Sequence, residues 1–95
     1  MLDPDVVFRA DQAAQRLGSL AEIRGAAAVA ATFKGRAQAA KPALVDGALG
    51  LAVILDGQLR VVLRLTISGE RISAVDAVAD ADAIGALDVE VLARD

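Results

Sequence analysis

Apolar and polar residues alternate with different periods in the two halves of this chain. Val6-Val7-Phe8-Arg9, just behind the turn-like Leu2-Asp3-Pro4-Asp5, reads as a short strand. Residues 12–17 fit one helical turn or a loop equally well. Ser19 with Glu22 three residues on matches a capping box. Ile23, Ala26, Ala27, Ala30 and Phe33 then recur on one helical face. This spacing predicts a helix from about Ile23 to Gly35, with Lys34 and Arg36 favourably placed against its dipole. The alanine face suits close approach to a sheet, although Gly25 costs up to about 1 kcal/mol relative to Ala.

From Gln38 onward the period falls to two. Strands are predicted at Gln38–Val45, Gly50–Leu55, Gln58–Ser68 and Arg71–Ala79. Asp46-Gly47, Asp56-Gly57 and Gly69-Glu70 separate them and suit tight hairpins, which together make an antiparallel meander. Pro42 places the first of these strands at an edge or bends it. Asp80 to Leu92 fits a final short helix, with Asp80 or Asp82 as its cap and Ile84, Leu87 and Val91 at spacings of three and four. Gly85 and Val89 oppose that helix. The predicted order is strand, helix, four strands, helix: a single α+β domain over residues 1–95.

Composition narrows the chemistry. Apolar residues make up 56% and charged residues 24%, more apolar material than 95 residues readily bury, so a partner surface is expected. There is no cysteine and therefore neither a disulfide nor a thiolate metal site. There is no histidine, which removes the commonest general base and transition-metal ligand. The carboxylates lack calcium-loop spacing, so no metal and no cofactor is expected. Net charge is −3, and the ten basic residues are dispersed with no Tyr or Trp among them, so direct nucleic-acid binding is not expected. The chain has no 18-residue apolar run and no cationic start leading into an apolar stretch. Neither a membrane span nor a signal peptide is indicated, and a cytoplasmic location is expected.

Four segments carry a resemblance. They are Leu2-Asp3-Pro4-Asp5-Val6-Val7-Phe8-Arg9-Ala10-Asp11; Ile23-Arg24-Gly25-Ala26 with Val29-Ala30 and Phe33; Pro42-Ala43-Leu44-Val45-Asp46-Gly47; and Gly69-Glu70-Arg71-Ile72 through Val78-Ala79-Asp80. Their order is similar to that of the SnoaL-like, nuclear-transport-factor-like domain at the carboxyl end of certain extracytoplasmic-function RNA polymerase sigma factors, with Asp46 where that family has Asn. The resemblance implies a cystatin-like fold: a curved antiparallel sheet with helices packed on its concave face and a pocket between them. It also implies one or more helices before the first strand, so the chain is expected to be an amino-terminally truncated, partial domain without promoter-recognition modules. The function implied is non-catalytic. In an intact sigma factor the domain would contact the promoter-binding modules and modulate transcription initiation. The alternative is a small-molecule-binding or ketosteroid-isomerase/polyketide-cyclase-like enzyme with Asp76 as its base.

On the last predicted strand, Ile72, Ala74, Asp76 and Val78 share a face opposite Arg71, Ser73, Val75 and Ala77. Asp76 aimed into a pocket would have its pKa raised by desolvation, as a proton-abstracting base requires; otherwise it is a partly exposed carboxylate near an Arg of the next strand. Arg64 shares a face with Arg60, Val62, Thr66 and Ser68. It either holds a ligand carboxylate or phosphate or simply marks the wetter face. Asp11 follows the first strand, where superfamily enzymes often place pocket groups, or is an ordinary loop residue. Without His or Tyr no acid–base pair and no oxyanion donor emerge. Leu51–Leu55 and Val61–Leu65 are apolar on both faces, which predicts a homodimer paired through the sheet, with Val53, Val62, Val75 and Ala77 at the interface.

Overall fold

Two Asp-Gly turns dictate the centre of the molecule. Asp46 and Gly47 have φ of 50° and 82°, and Asp56 and Gly57 have φ of 53° and 76°. Positive φ at both central residues is the hairpin geometry that matches strand twist, and Asp-Gly is among its preferred sequences. The computed structural model, which describes residues 2–34 and 40–92, accordingly places β3 (Ala40–Val45), β4 (Ala48–Leu55), β5 (Gln58–Ser68) and β6 (Arg71–Val78) in the antiparallel meander read from the sequence. Gly35, Arg36 and the start of the Gln38–Val45 prediction lie outside the described residues.

The rest of the sheet departs from the sequence reading. β1 (Leu2–Ala10) pairs with β6 in parallel, so the sheet is mixed rather than antiparallel throughout. The helix predicted from Ile23 begins later. Glu22–Arg24 is instead a three-residue strand, β2, antiparallel to β1, with Ile23 opposite Phe8. Ile23 is the buried residue of an exposed–buried–exposed triplet, a pattern that suits a strand as well as the start of a helical stripe. Glu22 bonds Arg24 at 2.8 Å, and the Ser19 hydroxyl donates to the Leu20 carbonyl, so no capping box forms. α2 runs from Ala26 to Phe33 behind Gly25, and α1 (Gln12–Arg16) is the short turn of helix that the sequence left open.

The carboxyl-terminal helix is also shorter than predicted. Asp80 caps it, accepting from the Ala83 N–H at 2.9 Å, but α3 covers only Ala81–Gly85. Val89–Val91 then forms β7, antiparallel to β3, in keeping with the strand preference of its two valines. Pro42 lies where β7 ends, and its carbonyl accepts from the Leu92 N–H at 2.9 Å. β3 is thus an edge strand only over its first half, where a missing N–H costs no ladder bond. Strand order is β2-β1-β6-β5-β4-β3-β7.

Helices α1 and α2 pack on one face of β1, β2 and β6. The core there comprises Val6, Phe8, Ala14, Ile23, Val29, Leu63, Val75 and Ala77, and the Phe8 and Phe33 rings meet edge-on at 5.6 Å. Val62, Val75 and Ala77 are 0%, 2% and 4% exposed within the chain itself, and Val53 packs against the same core. Val62, Val75 and Ala77, three of the four residues expected at a dimer interface, therefore have little surface left to offer a second copy, while Val53 is only partly buried. The expected faces of β6 also need correction. A register shift between Thr66 and Ile67 breaks the alternation, so Ile72 joins Val75 and Ala77 on the core rather than Asp76 on the other face.

Candidate functional site

The face of the sheet turned away from α1 and α2 carries a row of alternating charge. Pairing registers place Glu22 beside Arg9, Arg9 beside Asp76, and Asp76 beside Arg64, across β2, β1, β6 and β5. Register partners point to the same side of a sheet, so the four side chains form one line. The line extends at both ends. Asp46, in the β3–β4 turn, approaches Arg64 Nη2 at 3.9 Å, and Arg24 holds Glu22 at 2.8 Å. Arg9 Nε lies 3.9 Å from Glu22.

Asp76 sits at the middle of this row, half-buried in a depression of about 320 Å³ lined by Val45, Ala48, Arg64, Thr66 and Val78. Among the described residues its carboxylate has no ion pair and no hydrogen bond, because both flanking arginines lean outward to Glu22 and Asp46. The structure thus brings together Arg64 and Asp76, two of the residues singled out from sequence. Arg64 stands beside Asp46, with about half of its side chain exposed on this polar face.

Asp11 lies elsewhere and does different work. It caps α1 by accepting from the Ala14 N–H at 2.8 Å, while its second oxygen accepts from the Ala79 and Asp80 N–H groups at 2.9 and 3.1 Å. Burial pushes its carboxyl up, but the bonds from Ala14, Asp80 and Ala79 outweigh burial and hold it below the usual carboxylate range. One side chain fastens the start of α1 to the exit of β6.

A second cavity, about 410 Å³, lies between the two helices and the sheet. Its walls include Phe8, Leu17, Phe33, Val53, Leu55 and Leu63, and Ser19 and Thr32 are its polar contributions; no charged side chain lines it. This is where a pocket was expected, yet Asp11, Arg64 and Asp76 are all absent from its lining. Asp76 lies on the opposite side of the sheet from Leu63 and Ala77, so a carboxylate base and an apolar chamber are not combined here.

With this geometry in place, comparison with known proteins adds a structural likeness. No protein-family model matches the chain, and no curated protein does. The fold is similar to part of a solved structure, the Mycobacterium tuberculosis extracytoplasmic function sigma factor SigJ. Its TM-score is 0.62, with 26% identity over 85% of this chain. The chain spans 34% of that protein's length. This is partial structural homology to a sigma-factor domain at low identity.

Sequence reasoning found Asp76 and Arg64 but not the row that contains them. Arg9 joins it only through parallel pairing of the first long strand with the sixth, Glu22 only once residues 22–24 are read as a strand, and Asp46 only through a turn that folds back over β5. None of these relations is local. Among the described residues no group of three acidic side chains is placed to hold a metal ion, and no helix is long and apolar enough to cross a membrane.

Proposed function

We propose that this domain is a non-catalytic interaction module resembling the SnoaL-like carboxyl-terminal domain of an extracytoplasmic-function sigma factor, and that it modulates transcription initiation by contacting promoter-binding modules. The observation that carries the reading is the likeness to SigJ over 85% of the chain. The chemistry of the site agrees with it. Asp76, the base of the enzyme alternative, lies between two arginines on a charged face rather than in an apolar pocket, whereas the chamber with room for an apolar substrate lacks a base. Regulation through contact needs neither.

Isothermal titration of this chain into the promoter-binding modules of a sigma factor of this class tests the reading, together with single-round transcription with and without the chain in trans. Binding accompanied by a changed yield of initiated transcripts supports it. Absence of binding, or steroid-isomerase or cyclase turnover abolished by Asp76→Asn, overturns it.

A further inference from the structure

We infer that the depression bordered by Arg64 and Asp76 is a binding site for a small zwitterion, an α-amino acid with a short aliphatic side chain. The carboxylate of Asp76 is half-buried and, among the described residues, has no ion pair and no hydrogen bond. Arg64 is nearly as free. Its ion pair with Asp46 is 3.9 Å long, too far for a hydrogen bond, and one oxygen of Asp46 already accepts from the Asp88 N–H at 2.8 Å. Gly50 stands opposite Arg64 in register, so β4 places no side chain in the way of the guanidinium at that position. An unused acceptor and unused donors therefore border one cavity of about 320 Å³.

The surrounding charges decide what can enter. A lone cation at Asp76 is opposed by Arg9 and Arg64, which flank it in register on β1 and β5. A lone anion at Arg64 is opposed by Asp76 and Asp46. A molecule that carries both charges meets neither penalty. Its ammonium sits at Asp76 and its carboxylate at Arg64, whose planar guanidinium can take it through two parallel bonds. In an α-amino acid the two charges are one carbon apart, which suits a cavity near the small end of ligand sites. Thr66 lines the same cavity and adds a hydroxyl.

The remaining wall selects the side chain. Val45, Ala48 and Val78 line it, and Val45 is only 3% exposed. Further along the same face Ala52 and Val62 are fully buried, in the region where α3 lies against β5. The depression is thus apolar and covered toward α3 and open toward the charged row. An aliphatic side chain fits against the valines while the charged end stays at the water. Arg64 and Asp46 are about half exposed, and exposed ion pairs contribute little, so binding is expected with a Kd of about 1 mM. The inference stands apart from the likeness to SigJ and from contact with promoter-binding modules, and either can fail without the other.

Nuclear magnetic resonance titration of the isotope-labelled chain with L-leucine, up to about 20 mM in low salt, tests it. Leucinamide, which keeps only the ammonium, and N-acetyl-leucine, which keeps only the carboxylate, are titrated alongside. Saturable shifts are expected at the amides around Arg64, Thr66 and Asp76, with each analogue weaker by about fivefold or more. Asp76→Asn should lose the preference for leucine over N-acetyl-leucine, and Arg64→Gln the preference for leucine over leucinamide. A side chain that only supported the fold would not exchange one preference for the other. If one variant fails to fold, as judged by circular dichroism, the other variant and the two analogues carry the test. The absence of saturable shifts with leucine, shifts confined to the chamber between the helices and the sheet, or analogues that bind as well as leucine overturn the inference.

Discussion

Removing the Asp11 carboxylate would release three backbone donors at once, at the start of α1 and at the exit of β6. Loss of a cap costs about 0.5–2 kcal/mol, and hydrogen bonds to a charged group are worth more than neutral ones, so Asp11→Ala is expected to cost about 2–3 kcal/mol in a urea melt at pH 7. The folded carboxyl titrates below its unfolded value. Its contribution is therefore complete above the unfolded pKa of about 3.9 and fades as pH falls through the lower folded value. The gap between wild type and variant should narrow below about pH 3; a gap that stays constant down to that pH would disprove the charged-clamp account. Gly50 makes a different demand. A Cβ there would lie 2.6 Å from the Leu63 carbonyl oxygen and 2.9 Å from Val45 Cγ2. Gly50→Ala should cost about 1–3 kcal/mol by overpacking. Adding Val45→Ala should not rescue it, because the closer obstacle is backbone held in the β4–β5 ladder.

At the scale of elements, the region around Ser19 distinguishes the structure from the sequence pattern. If Ser19 capped a helix, Ser19→Ala would cost about 1 kcal/mol. Because its hydroxyl bonds the Leu20 carbonyl, the expected cost in the same melt is under about 0.5 kcal/mol. Ile23→Ala, which empties a buried position opposite Phe8, should cost about 2–4 kcal/mol. A cost at Ser19 comparable to that at Ile23 would restore the helix reading. The hairpins were legible because Asp-Gly states its own backbone geometry within two residues. β2 and β7 were not, since three residues are too few to display a period and both triplets also fit a helical stripe. What makes them strands is an available edge, on β1 and on β3, and that edge exists only after the sheet has formed. Asp76 and Arg64 were visible for the same reason as the hairpins, both lying within the regular part of the meander. Arg9 and Glu22 were hidden by non-local pairing.

For the whole molecule, the thirteen acidic and ten basic residues give a negative net charge, and the charged row uses three of each sign: Arg24, Arg9 and Arg64 against Glu22, Asp76 and Asp46. No uncompensated basic surface arises there, so the isolated chain should show no sub-micromolar affinity for duplex DNA by fluorescence anisotropy even at low salt. Tight binding under those conditions would contradict this charge argument. The parallel pairing of β1 with β6 has another consequence, one that concerns time. As the chain leaves a ribosome, β1 emerges long before β6, and β2 to β5 must be made before that parallel partner exists. Meanwhile Val6 and Phe8, destined for the core, lack the part of their cover that Val75 and Ala77 of β6 supply. The β3–β6 meander, built from local hairpins, can close as soon as it is made, whereas insertion of β1 between β2 and β6 is a long-range step and correspondingly slow. Hydrogen exchange during refolding should show β4 and β5 amides protected before those of β1, leaving a brief interval in which a nascent first strand is open to chaperones or to the edge of another unfinished copy.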